Sequence, residues 1–248
     1  MFRGFFTVDL FDCPPFQMFT NGDDPRAVDI LERKRFEPHS MRLWCRYAKT
    51  ATSILDIGAH TGVYALAAAS LRKDIPIHAF EPNPFTAARL RVNKHLNGLD
   101  HIVEHPIALA NESGLGPLSW PVREKGWLSS GAGLGAPRAG RETTVVQVKQ
   151  LDELAIVPGN HALMKIDAEG SEYNVFAGMP QFLKSRPAII LESFFQEACD
   201  IISRMVHDYA FYLVDEAGHL VERDKLYAAN HKTEHLNQLL WPKERGTP

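Results

Sequence analysis

Ile54-Leu55-Asp56-Ile57-Gly58-Ala59-His60-Thr61-Gly62 is the stretch whose reading decides the fold. Ser53–Ile57 reads as a short buried strand, and the alanine-rich segment Val63–Leu71 reads as a helix. Between them, Gly58 and Gly62 permit a tight turn and close backbone approach. A strand that ends near an acid and passes through a glycine turn into a helix begins a βαβ unit. Open sheets built from such units bind ligands at the carboxyl ends of their strands, where the strand order reverses. A dinucleotide-binding turn would carry G-x-G-x-x-G to receive a pyrophosphate, and this turn does not. An acid before the first glycine suits a ligand with a cationic amine and no phosphates, met by Asp56 directly or through water. The competing reading is a generic turn in which Asp56 bonds only backbone amides.

The next unit supports the ligand reading. Ile77–Phe80 is a second strand, followed by Glu81-Pro82. An acid at the end of this strand can accept both hydroxyls of a ribose. Alternatively, Glu81 is an acid favoured by the positive end of a helix. Asn83 can cap that helix with Pro84 at its first position. Phe85, Ala88, Val92 and Leu96 form its apolar stripe, and Asn97-Gly98 ends it. A third strand is expected over 101–108. The alternation breaks over 111–144, where strands at 117–122 and 143–148 flank a glycine-rich run. That region reads as a β-hairpin insertion or lid, with an unstructured connector as the alternative. Strand 161–167, helix 171–183, strand Ala188–Glu192 and helix 196–206 restore the alternation. An antiparallel pair at 210–214 and 220–222, turned at Gly218, and a short helix within 227–241 close the chain. The pattern predicts an α/β fold, with a mostly parallel seven-stranded sheet and helices on both faces.

Outward from this frame, residues 1–50 form an irregular prelude rich in Phe, Pro and Asp, with a helix near 40–49. The expected organisation is an N-terminal extension, 1–50, and a Rossmann-like domain, 51–248. Phe16, Met18 and Phe19 with Asn21-Gly22-Asp23-Asp24 are candidates for a substrate lid, and Glu37-Pro38 for reaching the cofactor end. An N-terminal segment that merely covers hydrophobic surface is the alternative.

Composition narrows the class. The chain has 248 residues, 45% of them hydrophobic, as expected for one globular domain with terminal additions. The net charge of −3 offers no electrostatic basis for a nucleic-acid partner. No stretch has the length and apolarity of a membrane span. The hydrophobic start, interrupted by Asp9 and Asp12, lacks the length and cleavage site of a signal peptide. Cys13, Cys45 and Cys199 show no zinc or redox spacing and read as free thiols of a cytoplasmic protein. The histidines share no ligand spacing. His231 and His235, four apart, read as a solvated helix face.

Several of these segments together resemble the FkbM family of methyltransferases. They are Leu55 through Gly62, Phe80-Glu81-Pro82-Asn83-Pro84, Leu90 through Asn97, Ser129-Ser130, Met164-Lys165-Ile166-Asp167-Ala168-Glu169-Gly170-Ser171-Glu172 and Ile189-Ile190-Leu191-Glu192. The Lys-Ile-Asp-x-Glu-Gly-x-Glu segment is the most family-specific. One departure is His60, where the family commonly has Asn. The resemblance implies a class I, Rossmann-like fold and methyl transfer from S-adenosylmethionine, most often to a hydroxyl of a sugar, glycan or natural product. It implies that Asp56, Gly58 and Gly62 hold the methionine end of the donor, Glu81 the ribose, and Ile107-Ala108 the vicinity of the adenine. Ala59, His60, Thr61, Pro82 and Asp167 complete the expected cofactor-binding set.

Methyl transfer needs the acceptor oxygen aligned behind the methyl, water excluded, and a base for a neutral alcohol. Asp167, Glu169 and Glu192, at the ends of adjacent strands, are the candidate catalytic groups. Lys165, within a buried strand, is expected to pair with one of them. A divalent metal between Asp167 and Glu192 is the less favoured arrangement, because two acids are a thin ligand set. Two other function classes stay open at this point: a nucleotide-linked oxidoreductase, and a non-catalytic module that binds S-adenosylmethionine or a nucleotide. The sequence specifies neither the acceptor nor the oligomeric state.

Overall fold

The structure, a computed structural model, describes residues 2–9, 12–34, 36–122, 128, 131–136, 139–215, 218–229 and 237–248. At the N-terminus, β1 (Gly4–Val8) and β2 (Phe16–Thr20) pair antiparallel. After them α1 (Pro25–Val28) runs through a π-helical turn, Asp29–Arg33, toward α2 (Pro38–Ala48). The first βαβ unit follows as β3 (Ser53–Ile57), α3 (Val63–Leu71) and β4 (Ile77–Phe80), with the bounds expected from the sequence. Next come α4 (Pro84–Leu96) and β5 (Ile102–His105). The insertion contains β6 (Ala108–Leu109), β7 (Gly114–Pro121), β8 (Gly133–Leu134) and β9 (Arg141–Lys149). The remainder is β10 (Ala162–Ile166), α5 (Glu172–Ala177), α6 (Pro180–Leu183), β11 (Ala188–Glu192), α7 (Gln196–Met205), β12 (Tyr209–Val214), β13 (Leu220–Arg223) and β14 (Asn237–Pro242).

The expected seven-stranded sheet runs β5-β4-β3-β10-β11-β14-β12, and β13 extends it to eight strands at the edge. Strands β5, β4, β3, β10 and β11 are parallel, and β14 runs against them, pairing antiparallel with both β11 and β12. Every residue of β3, β10 and β11 is buried, as in a strand covered on both faces. One apolar cluster packs α2, α3 and the N-terminal hairpin on one side; a second packs α5, α6 and α7. The chain leaves β3 for β4 and β5, then returns to place β10 on the other side of β3. The switch point therefore lies at the carboxyl ends of β3 and β10, above Asp56, whose register neighbours are Lys165 and Ala79.

Four expectations are corrected. The helix expected within 227–241 is absent from its described part: Asn237–Pro242 is strand β14, inserted between β11 and β12, and 230–236 lie outside the described residues. The edge of β11 supplies a long-range hydrogen-bonding partner, and that pairing overrides local preference. The single helix over 171–183 is two, α5 and α6, divided at Gly178-Met179-Pro180. Proline cannot continue the hydrogen-bond ladder, and Gly178 lies so close to Ala110 that a Cβ would sit 2.0 Å from its carbonyl oxygen. The strand over 101–108 divides at Pro106 into β5 of the main sheet and β6 of a second sheet, ordered β6-β9-β7-β8. The irregular prelude instead contains the β1–β2 hairpin.

Phe16 and Met18 are buried in the core cluster with α3, and Asn93 of α4 accepts the Phe19 amide at 2.8 Å. Asp23 meets the Arg89 guanidinium through two 3.0 Å hydrogen bonds. No helix among the described residues is long and apolar enough to cross a membrane.

Candidate active site

The turn after β3 is held by its own backbone. The Gly58 and Ala59 amides both donate to the Phe80 carbonyl, at 3.0 and 2.9 Å, which fastens the turn to the end of β4. Gly58 has φ +84°, and a Cβ there would sit 1.8 Å from the Asp167 carbonyl oxygen. The turn and the end of β10 therefore touch backbone to backbone, an approach open only to glycine. His60 adopts the left-handed region at φ +49°. The Glu81 carboxylate accepts its amide at 2.8 Å and the Asn83 amide at 2.7 Å. Asn83 caps α4 by accepting the Phe85 amide, as expected.

A pocket opens over this turn. Asp56, Gly58, Ala59, His60, Glu81, Pro82, Ala108, Asp167 and Glu169 all line it. The sequence-derived set is thus brought together except at three positions. Thr61 is buried and donates its hydroxyl to Asp24 at 2.8 Å. Gly62 packs against Leu90. Glu192 is buried 3.9 Å from the Lys165 ammonium and does not line the pocket. Four lining residues came weakly or not at all from the sequence: Arg26, Glu37, Tyr64 and Lys165. Asp24-Pro25 is a helix-start signal that could have drawn attention to Arg26. Asp24 caps α1 by accepting the Arg26 and Ala27 amides. Glu37, at φ +37°, accepts the Tyr64 hydroxyl at 2.6 Å and the Asn237 amide group at 2.8 Å. Three distant segments of chain therefore meet at one carboxylate. Ser129 and Ser130 lie outside the described residues, as do His231 and His235.

The electrostatics are dominated by buried acids. Asp56 accepts the Ala65 amide at 2.9 Å, and its pKa is raised to about 7 by burial against the opposing pull of Lys165. Burial likewise raises Glu81. Burial first and Asp167 second push Glu169 up to about 8 and Glu192 up to about 9. Lys165 lies 3.7 Å from Asp167 and 3.9 Å from Glu192, so an ammonium stands between the two acids that a metal would have bridged. Burial disfavours its charge, but Asp167, Glu37, Glu192 and Asp56 override that and raise its pKa. Among the described residues, no group of three or more His, Cys, Asp or Glu side chains is placed to hold a metal ion.

The residues fit S-adenosylmethionine. A pocket with this excess of carboxylates suits a ligand carrying a sulfonium and an ammonium. The His60 Nε2 atom is buried without a hydrogen-bond partner beside the turn, a polar atom for which a ligand can supply the missing contact. Phe80, Ile107, Ala108 and Leu109 form an apolar stretch of the same pocket, suited to an adenine face.

Among curated proteins none matches the chain. Similar solved structures include the precorrin-6Y C5,15-methyltransferase of Geobacter metallireducens, at 14% identity and TM-score 0.44, with 82% of this chain and 89% of that one covered. Another is the Pyrococcus abyssi tRNA (uracil-54, C5)-methyltransferase in complex with S-adenosylhomocysteine, at 13% identity and TM-score 0.49, with 96% and 44% covered. A third is an S-adenosylmethionine-dependent methyltransferase of Agrobacterium tumefaciens, at 10% identity and TM-score 0.43, with 98% and 71% covered. At these identities and scores they add nothing to the assignment, which rests on a family match. The Methyltransferase FkbM domain matches residues 56–222, from the acid of the glycine turn to the edge strand β13. The chain belongs to the FkbM methyltransferase family, and S-adenosylmethionine is its methyl donor.

Proposed function

We propose that the enzyme methylates a hydroxyl of a sugar, a glycan or a small natural product. The observation that carries this reading is the pair Asp167 and Glu169, which line the donor pocket together, with Glu169 held at about 8 by burial and its acidic neighbour. A neutral alcohol is a poor nucleophile, and proton transfer to a base with a pKa near the working pH assists it. S-adenosylmethionine supplies a methyl group on a positively charged sulfur. In this reading Asp56 and Glu81 bind the donor, Asp167 positions the acceptor hydroxyl, and Glu169 takes its proton. Lys165 orients Asp167, and Glu192 serves as the buried partner of Lys165. Leu118, Ala132 and Leu134 form an apolar wall that excludes water, set so close that a Cβ on Gly133 would lie 2.9 Å from the Glu169 carbonyl oxygen.

Calorimetric titration with S-adenosylmethionine and S-adenosylhomocysteine tests the donor half. Glu81→Ala leaves the His60 and Asn83 amides without their acceptor, and the expected loss of affinity is about 100-fold. The acceptor half is tested by S-adenosylhomocysteine release over a panel of polyhydroxylated, amine and carbon acceptors. Turnover confined to amines or carbon acceptors would overturn the hydroxyl assignment.

Donor binding should also release protons. Free Asp56 and Glu169 are largely protonated below about 7 and 8, and a cationic ligand favours their ionised forms. Affinity for S-adenosylmethionine therefore rises as pH climbs from about 6 to about 8. Titrations in two buffers of different ionisation enthalpy should report net proton release, smaller for S-adenosylhomocysteine, which lacks the sulfonium. Proton uptake, or none, would contradict the charge arrangement. The ligand-free chain follows the opposite trend. In this window the folded state binds more protons than the unfolded state, so stability falls as pH rises from the ordinary carboxylate range toward about 8.

A further inference from the structure

Arg26 belongs to the N-terminal segment, outside the residues matched by the family. It lines the same pocket as Asp56 and Asp167. The other lining cation, Lys165, is ion-paired with Asp167 and Glu192 at 3.7 and 3.9 Å, although among the described residues no hydrogen bond reaches its buried ammonium. Among the described residues, no hydrogen-bond or ion-pair partner meets the Arg26 guanidinium. Yet Glu37, Asp167, Glu192 and Glu169 all favour its charge against the cost of burial. At a cavity wall, a half-buried guanidinium with no protein partner among the described residues has donors free for a ligand.

The donor poses the complementary problem. Its sulfonium and ammonium suit the acids of this pocket, but its α-carboxylate does not. An anion entering among these carboxylates is repelled unless a cation meets it. We infer that Arg26 is the carboxylate clamp of the methyl donor, gripping the amino-acid end through the paired N–H groups of its guanidinium. The inference rests on the donor-site reading above and extends the site beyond the family domain into the N-terminal segment.

The fold supplies a device to place this residue. Asp24 caps α1 with one carboxylate oxygen, which accepts the Arg26 and Ala27 amides at 2.9 and 3.3 Å. Its other oxygen accepts the Thr61 hydroxyl at 2.8 Å. Thr61 belongs to the glycine turn that the donor's amino-acid end should face. Asp24 and Thr61, both fully buried, therefore lock the helix bearing Arg26 to that turn. This explains why Thr61 stands in the motif without lining the pocket: it is a positioning residue for Arg26.

The test uses the full chain and two ligands that differ in one part. S-adenosylhomocysteine carries the amino acid; 5′-methylthioadenosine keeps the nucleoside thioether and lacks it. Arg26→Met should weaken S-adenosylhomocysteine by about 10- to 100-fold, the scale of lost charge-assisted hydrogen bonds. It should leave 5′-methylthioadenosine binding unchanged. Arg26→Lys should recover part of the loss, since an ammonium keeps the charge but not the fork. Thr61→Val should give a smaller loss of the same selectivity. If Arg26→Met binds S-adenosylhomocysteine as the parent does, the clamp is overturned and any anion met by Arg26 belongs to the acceptor. Equal weakening of both ligands would also overturn it, by assigning Arg26 to the fold. Failure of the parent chain to bind either ligand would instead sink the donor-site reading itself.

Discussion

Gly58→Ala is expected to destabilise the chain by about 3–5 kcal/mol and to abolish donor binding. Two costs combine at this position. The residue has φ +84°, where an L side chain is strained, and the added carbon would lie 1.8 Å from the Asp167 carbonyl oxygen and 2.8 Å from its carbon. Neither neighbour is a flexible side-chain tip, so relief requires the end of β3 to move away from the end of β10. That movement would disturb the hydrogen bond the Asp167 amide donates to the Ile57 carbonyl, 2.9 Å long, and shift Asp56 and Asp167 relative to each other. Gly98→Ala provides the internal control. Gly98 has φ +61° with nothing within 4 Å of the added carbon. It should cost only about 1 kcal/mol, the conformational part alone. Denaturant midpoints at constant slope measure both. Equal costs for the two variants would mean that the strand ends part freely, and the close approach at Gly58 would lose its meaning.

The second large effect is on turnover. Asp167→Asn is expected to lower the rate of methyl transfer by about 10²-fold, the scale of an acceptor displaced from its line of attack. Its effect on S-adenosylhomocysteine affinity should stay below about 10-fold, because Asp56 and Glu81 remain. The residual activity should carry a diagnostic pH profile. The Asp167 charge helps to raise both Glu169 and Glu192. Removing it lowers both, so the rising limb of the rate profile should move to lower pH. A mutant with normal turnover would remove Asp167 from the reaction. A mutant that loses donor affinity and turnover in equal measure would make it a donor ligand only.

Lys165 links these expectations. Its ammonium stands 3.7 Å from Asp167 and 3.9 Å from Glu192, and it faces the Tyr64 ring at 5.3 Å from the centroid. Removing Asp167 leaves this buried cation with Glu192 as its remaining ion-pair partner. A buried charge loses heavily when its partners are removed. Part of the turnover loss in Asp167→Asn will therefore come through displacement of Lys165.

The sequence by itself determined the elements whose signals are local. The bounds of β3, α3, β4 and β11 could be read directly, because buried strands, an alanine-rich helix and glycine punctuation act within a few residues. The βα turns carry Asp56, Glu81, Asp167 and Glu169 in the same short stretches, so these acids stand out in the chain itself. The tertiary structure decided what depends on distant partners. Strand β14 exists because the edge of β11 offers hydrogen bonds to a segment about fifty residues later, a preference no local window contains. Gly178 and Pro180 divide a helix that periodicity alone would continue, because the backbone at Ala110 approaches there. Burial separated the carboxylates in space: Glu169 faces the pocket, while Glu192 is enclosed with Lys165. Arg26 and Glu37 reach the site only because the N-terminal segment folds back onto α3, α4 and β14. Their side chains are unremarkable in one dimension and acquire meaning from the acids and the turn that surround them.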